Sequence, residues 1–222
     1  MYCIVTESGN LELARGGDTA HRYILVDMNP PLAITYDYLC PFARNASESV
    51  VEALRDGADL DVSFVPFSLE ESHTADGDSH QWDLPISDVG PGVLALLWSL
   101  AVRESFPSAF LDFHVAMFSA RHDDGADISD PSVIEAVIGG AGLDADAVGA
   151  LVESGKPAKI LAAEHTRSAE EFSVFGVPTF ITGGEAVFVR FMERHRPEDL
   201  SRVLDMLAWT NLNEFKRTTV PR

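Results

Sequence analysis

The chain has two cysteines, Cys3 and Cys40, and Cys40 lies where thiol chemistry is commonly carried out. A strand-like run, LAITYDY at 32–38, ends just before it, and Pro41 directly after it starts an amphipathic helix. A sulfur at a helix N-terminus faces unpaired backbone N–H groups and the positive end of the helix dipole. Both favour the thiolate, so the sequence predicts a reactive Cys40 with a pKa below the value of about 8.5 for free cysteine. The alternative is that Cys40 is a small buried hydrophobic residue.

The position three residues after Cys40, where a second cysteine would complete a redox pair, is Ala43. A dithiol enzyme captures its substrate as a mixed disulfide and resolves it with the second thiol. Ala43 cannot do this, so an active Cys40 requires a thiol from outside. We expect a low-molecular-weight thiol, glutathione or mycothiol, as co-substrate. Cys3 is the internal alternative, and its segment has no assigned place in the fold.

The elements around Cys40 predict a βαβ unit. The run 32–38 alternates apolar and polar residues, and a second strand is expected at 60–69. Between them, residues 42–56 place apolar side chains at helical spacing, and Gly57 stops the helix. Strand, helix and strand in this order predict a parallel pair joined by a right-handed crossover.

After the second strand the pattern changes to helices, from about residue 70 to 156, which indicates an inserted helical subdomain. A helix at 157–175, ended by Gly176, then leads to two strands, VPTFIT and AVFVRF, and a last amphipathic helix. The two strands are joined by a Gly-Gly pair, which is typical of a hairpin turn. We therefore divide the chain into an extension at 1–27 that alternates like a β-hairpin, a core at 28–69 and 157–210, an insertion at 70–156, and a tail at 211–222.

Two motifs lie on opposite sides of the insertion: Cys-Pro at 40–41, and GVPTF at 176–180. With this order of elements, the chain from about residue 32 to its C-terminus resembles the DsbA-like branch of the thioredoxin-like proteins. The C-terminal NEFKRTTVPR also resembles the tail of actinobacterial members described as mycothiol-dependent reductases. The resemblance implies an α/β thioredoxin-like fold with an inserted all-helical subdomain. It also implies a thiol-disulfide oxidoreductase with Cys-Pro-Phe-Ala in place of the two-cysteine motif.

The resemblance further implies that the peptide bond before Pro178 is cis and that its loop lies against Cys40. A cis bond turns the backbone of Val177 outward, where its N–H and C=O can pair with an extended peptide or a thiol ligand. Thr179 would place its hydroxyl near the sulfur. Pro41 and Phe42 complete the predicted substrate-binding residues. The alternative is a trans proline that starts a strand.

Four histidines give weaker signals. His73 and His80 bracket acidic residues, but without a third ligand at suitable spacing we expect a solvated loop and no metal site. His165 is expected on the surface of its helix, and His114 is expected to pack inside the insertion.

Two tryptophans, Trp82 and Trp98, have alternative roles. In the first, they line the cleft between insertion and core, where DsbA-like relatives hold an apolar substrate. This role would add an apolar electrophile to the expected ligands. In the second, they pack in the core.

The formal charge of −19, from 35 acidic and 16 basic residues, argues against nucleic acid as a partner, because such a surface repels phosphate backbones and anionic lipid headgroups. No apolar run approaches the roughly 18 residues that span a bilayer. The N-terminus lacks the basic and apolar regions of a secretory signal, so we expect a cytoplasmic protein. A monomer and a homodimer are both compatible with the sequence.

Three functions therefore remain open. The leading prediction is an oxidoreductase that exchanges disulfides through Cys40 and a small external thiol. The second is an isomerase or transferase that resembles kappa-class glutathione transferases, in which a bound thiol cofactor is the nucleophile and Cys40 is merely polar. The third is a non-catalytic module that holds extended peptides at the proline loop.

Overall fold

The computed structural model describes residues 2–5, 11–14, 31–75, 77–214 and 216–217. Two short strands, β1 (Tyr2–Val5) and β2 (Leu11–Ala14), pair antiparallel in the N-terminal extension. The rest of that extension and most of the last residues of the tail lie outside the described residues. No helix among the described residues is long and apolar enough to cross a membrane.

The main sheet has four strands in the order β4-β3-β5-β6. β3 and β4 are parallel, as predicted, while β5 pairs antiparallel with both β3 and β6. Because β3 and β4 are joined by a helix, the carboxyl ends of both strands lie at the same edge of the sheet. The strands are β3 (Leu32–Tyr36), β4 (Val62–Pro66), β5 (Thr179–Thr182) and β6 (Glu185–Phe188).

Seven α-helices lie among the described residues, and six of them have a proline in the first two positions, where its missing N–H leaves no bond unmade. A proline in the sequence therefore marks the start of six of these seven helices. In chain order, the helices are α1 (Pro41–Arg55), α2 (Pro91–Ser105), α3 (Pro107–His122), α4 (Pro131–Gly140), α5 (Ala145–Glu153), α6 (Lys156–Phe172) and α7 (Pro197–Leu207).

Helix α2 is the centre of the insertion. Residues 92–102 are all buried because α2 packs against α3, α5 and α6. A helix that is covered on all sides needs apolar residues around its whole circumference, which explains the sequence GVLALLWSLAV. Helix α6 packs on both α2 and β4 and so connects the insertion to the sheet.

A buried polar cluster joins the core to the insertion. The hydroxyls of Tyr36 and Tyr38 each lie 2.8 Å from Oγ of Ser99 in α2. The Tyr38 hydroxyl also lies 2.9 Å from Nδ1 of His114, which is fully buried, as predicted. Burial lowers the pKa of His114 to about 3, so its imidazole is neutral in the folded protein.

Helix α6 ends earlier than the sequence indicates. It stops at Phe172 because Ser173 takes a left-handed φ of 54°, three residues before the predicted stop at Gly176. The segment from Ser173 to Pro178 therefore leaves the helix axis and runs toward the N-terminus of α1.

Candidate active site

Cys40 is the N-cap residue of α1 and lies at the carboxyl end of β3. Its backbone is extended, with φ −96° and ψ 116°, and its N–H donates to the carbonyl oxygen of Asp37 at 3.1 Å. The side chain is 8% exposed. Its Sγ makes no cap bond to the helix and donates instead to the carbonyl oxygen of Val177 at 3.4 Å. The sulfur therefore touches the loop that sequence analysis placed opposite it.

The Val177–Pro178 peptide bond is cis, the isomer that the resemblance implies. Thr179 fixes the loop: its N–H donates to Oγ1 of Thr35 in β3 at 2.9 Å, and its hydroxyl donates to the carbonyl oxygen of Gly176 at 2.8 Å. The hydroxyl of Thr179, expected near the sulfur, is thus engaged within the loop. Thr35 was not identified from the sequence, because its link to Thr179 spans the whole insertion.

The expectation that the pKa of Cys40 lies below its free value is wrong. Burial raises the pKa of the Cys40 thiol, and the negative charge of Asp37 raises it further. The N–H groups of Ala43 and Phe42 and the charge of Arg190 lower the pKa, but by less than burial raises it. The N–H groups at the helix N-terminus lower the pKa of Cys40 as predicted, but the loss of solvent raises it by more.

Asp37 is a residue of this site that sequence analysis missed. It is fully buried, and its two carboxylate oxygens accept from the N–H groups of Leu39 and Leu69, each at 2.8 Å. Burial raises its pKa to about 6. Asp37 thereby ties the turn before Cys40 to the segment after β4. The available signal was an acidic residue at the end of the predicted strand, three residues before the cysteine.

A second helix N-terminus lies against the Cys40 turn. Oε2 of Glu70 accepts from the N–H of Val93 in the first turn of α2 at 2.9 Å. Gly92 permits the close approach, since a Cβ there would lie 2.8 Å from Cδ1 of Leu39 and 3.1 Å from Oδ1 of Asp37. Two buried or half-buried carboxylates therefore flank Gly92, and neither was identified from the sequence.

The predicted substrate-binding residues Pro41 and Phe42 lie on the outer side of the site. Pro41 is exposed and Phe42 is half-buried. Cζ of Arg190 lies 5.4 Å from the centroid of the Phe42 ring and 5.5 Å from that of Phe188. Arg190 was also missed, although its spacing of two from Phe188 indicates that both side chains share one face of the hairpin.

A separate cleft of about 420 Å³ lies between the segment after β4 and α6. Trp82 lines it, whereas Trp98 is 7% exposed and packs in the core. His165, expected on the surface, is 6% exposed: its Nδ1 accepts from the N–H of Ser68, and its ring stacks on Phe67 at 4.3 Å. The prediction failed because helical spacing does not show that the loop after β4 covers this face of α6.

The two candidate metal-binding histidines lie in the same loop. Nδ1 of His80 pairs with Oε1 of Glu71 at 2.6 Å, and Nδ1 of His73 lies 2.5 Å from the carbonyl oxygen of Leu69. Across the described part of the chain, no three His, Cys, Asp or Glu side chains converge in a way that could hold a metal ion. The prediction for Cys3 as a resolving thiol concerns a side chain outside those described.

Comparison with known proteins supports the fold at the level of family. The model of the DSBA-like thioredoxin domain matches residues 95–205, half of the chain. No curated protein matches the chain.

Solved structures with the same fold have low sequence identity. The 2-hydroxychromene-2-carboxylate isomerase has a TM-score of 0.58 at 18% identity, covering 81% of this chain and 97% of that one. DsbA from Pseudomonas aeruginosa has a TM-score of 0.54 at 18% identity, with 84% and 87% covered. The thiol-disulfide exchange protein α-DsbA2 from Wolbachia pipientis has a TM-score of 0.53 at 18% identity, with 82% and 83% covered.

Proposed function

The chain belongs to the family of DSBA-like thioredoxin domains, and from the position of Cys40 we propose that it is a thiol-disulfide oxidoreductase acting through this single cysteine. The observation that carries the proposal is the 3.4 Å contact between Sγ of Cys40 and the carbonyl oxygen of Val177. A sulfur at a helix N-terminus, against a backbone loop able to hold an extended ligand, has what disulfide exchange needs. In this proposal Pro41 and Phe42 bound the substrate site on the side of α1, and the loop of Val177, Pro178 and Thr179 bounds it on the other.

In the proposed cycle, the Cys40 thiol first loses its proton to solvent. The thiolate attacks one sulfur of a disulfide, a bond forms between the two sulfurs, and the substrate S–S bond breaks. The other substrate sulfur leaves with the electron pair and takes a proton. The N–H groups of Phe42 and Ala43 favour the Cys40 anion, so they assist it as nucleophile and, in the next step, as leaving group.

The second step uses an external thiol, because the fully buried methyl group of Ala43 cannot act as a nucleophile. Glutathione or mycothiol attacks the mixed disulfide at the substrate sulfur. Cys40 leaves as a thiolate and regains its proton, and the substrate departs as a disulfide with the attacking thiol. Because the cycle consumes a low-molecular-weight thiol, it suits a reducing compartment such as the cytoplasm.

One observation favours a second function. Burial raises the pKa of Cys40, so the group is a neutral thiol near pH 7. A protonated Sγ can donate a hydrogen bond to the thiolate of a bound thiol cofactor, which would then be the nucleophile. With this chemistry the protein would be a thiol-dependent isomerase or transferase. The structural neighbour named 2-hydroxychromene-2-carboxylate isomerase shares the fold.

The substitution Cys40→Ser separates the two functions. With a glutathione mixed disulfide as substrate and reduced glutathione as donor, we expect Cys40→Ser to abolish turnover and the Cys3→Ser control to retain it. Intact mass after exposure to oxidised glutathione should show one glutathione on Cys40. A Cys40→Ser protein that keeps full thiol-dependent activity would instead establish the second function. A protein that binds extended peptides but turns over neither substrate would be a binding module.

A further inference from the structure

Arg190 lies near the start of the helix that carries Cys40, and its guanidinium lies over two aromatic rings. Phe42 is the second residue of α1 and Phe188 ends β6, and Cζ of Arg190 is 5.4 Å and 5.5 Å from their ring centroids. Arg190 therefore bridges the helix that carries Cys40 and the hairpin that follows Pro178. Its charge reaches the sulfur, since it lowers the pKa of the Cys40 thiol.

Arg190 forms no ion pair with any carboxylate whose side chain the structure describes. The neighbouring Arg44 and Arg194 both pair with Asp123 at 2.8 Å, and Arg194 also pairs with Glu48 at 2.6 Å. Seven of the ten arginines whose side chains the structure describes pair with a carboxylate, and Arg190 is one of the three that do not. A guanidinium in this condition is suited to bind a carboxylate from outside, through paired N–H donors.

An exposed aromatic ring, that of Phe175, continues the surface next to Arg190. Phe175 is 73% exposed, and its ring centroid lies 5.0 Å from that of Phe188. Phe188 in turn packs over Gly176, where a Cβ would lie 3.4 Å from Cε2 of the ring. We name Phe42, Phe175 and Phe188 the aromatic rim. It offers apolar surface for a ligand whose charged group pairs with Arg190.

We propose that Arg190 selects ligands that carry a carboxylate near their reacting sulfur, while the aromatic rim holds their apolar part. The inference rests on the proposed function, because Cys40 must exchange disulfides for the preference to be expressed. It assigns the co-substrate to the carboxylate-bearing thiols, of which glutathione is one. Mycothiol, which presents amide and sugar hydroxyl groups, would be used less well.

Two aromatic disulfides test the preference. Dithiobis-nitrobenzoate carries a carboxylate on each ring, and dithiodipyridine is neutral above its ring pKa. Each reacts in the same way: the Cys40 thiolate attacks one sulfur, the S–S bond breaks, and one coloured thiolate or thione leaves. On a Cys3→Ser background, Cys40 is the single thiol of the chain, and the rate ratio of the two reagents is measured by stopped flow. General changes in Cys40 reactivity affect both rates and cancel in the ratio.

We expect Arg190→Gln to lower the ratio of anionic to neutral rate by about fivefold, and Arg190→Lys, which keeps the charge but not the paired donors, to lower it by less. Rising ionic strength screens both the attraction of Arg190 and the repulsion of the net charge of −19, so the ratio in the parent protein should fall relative to the ratio in Arg190→Gln as salt is added. The matched control is Arg167→Gln, which removes an arginine that also lies over a phenyl ring, that of Phe172 at 5.9 Å, but pairs with Glu171.

The outcomes distinguish this inference from the function on which it rests. If Cys40 reacts with both reagents and the ratio is unchanged in Arg190→Gln, or falls equally in Arg167→Gln, the role of Arg190 is refuted and the oxidoreductase proposal stands. If neither reagent modifies Cys40 in the parent protein, both proposals fail. Should Arg190→Gln not fold, Arg190→Met, which also removes the charge, is measured in its place, and an unchanged ratio in that variant refutes the role of Arg190.

Discussion

Helices α1 and α2 begin in the same way and at the same edge of the sheet. Each has an extended N-cap residue without a side-chain cap bond, Cys40 in α1 and Gly90 in α2, and each has proline at the first helical position. They differ in what the next two N–H groups face. In α2 these amides act on the carboxylate of Glu70, whereas in α1 they act on the sulfur of Cys40.

Under the proposed function, the difference separates a structural N-terminus from a reactive one. The carboxylate of Glu70 already accepts from the N–H groups at the positive end of α2, so these groups are not available to a ligand. At α1 the amides face a thiol, which becomes an anion in the proposed exchange. The stabilisation is therefore available to the reacting state, which is the condition for catalysis. Asp37 lies between the two N-termini and contributes a negative charge to both.

Replacing Asp37 with asparagine should have the largest effect, and that effect depends on pH. The pKa of Asp37 rises from an ordinary 3.8 to about 6 in the folded protein. Between these values the unfolded chain loses its proton first, so rising pH favours unfolding. The stability from this group is intact below pH 3.8 and is lost as pH passes the folded value, a change of about 3 kcal/mol. The free energy of unfolding of the parent minus that of Asp37→Asn should fall by this amount, measured by urea denaturation across the range.

The comparison of parent and variant also removes the opposing effect of His114. The pKa of His114 is lowered from 6.5 to about 3, so its contribution is present above pH 6.5 and is lost as pH falls. His114 is the same in both proteins, so its titration cancels in the difference. A difference that stays flat over this pH range would show that Asp37 is not held as a buried carboxylate between the two helices.

Removing the carboxylate of Glu70, which faces the N-terminus of α2, should have the second largest effect on stability. Glu70→Ala leaves the first amides of α2 without their acceptor and should lower the free energy of unfolding by about 2 kcal/mol. Glu70→Gln should cost less, because an amide oxygen can still accept from Val93. Asp130→Ala, at the exposed N-cap of α4 where Asp130 accepts from Ser132, is the matched control and should cost about 1 kcal/mol. If Glu70→Ala unfolds no more easily than the parent, the two N-termini do not differ as described.

The features that sequence analysis found are those written locally in the chain. The parallel pair β3–β4, the proline at the start of α1 and the position of Cys40 all follow from periodicity and from the chemistry of proline and glycine within short windows. The βαβ rule then fixes which strand ends meet. Those features place Cys40 at the carboxyl edge of the sheet, and the motif at Pro178 points to the facing loop.

The features that sequence analysis missed depend on contacts between distant segments. The pKa of Cys40 is set by burial under the loop of Val177, 137 positions away, and a helix dipole argument contains no measure of that burial. Glu70 caps a helix that begins 21 residues later, at Pro91, beyond the range of any capping motif. His165 is buried by Phe67 and Trp82 from another part of the chain. In each case the residue type was visible, and its partner was not.

The smallest expected effect concerns the N-terminus of α1 alone, and it is a change in stability rather than in activity. Serine is a good N-cap residue and alanine is not, because the serine oxygen can accept from the N–H of the second or third helical residue. If the amides of Phe42 and Ala43 are directed at the side chain of residue 40, Cys40→Ser should be more stable than Cys40→Ala by about 1 kcal/mol, measured in parallel by urea denaturation. Both variants lack the sulfur, so the difference between them reports on the amides alone. Equal stability of the two would mean that these N–H groups do not reach the side chain, and the thiolate would then lose the backbone donors that distinguish α1 from α2.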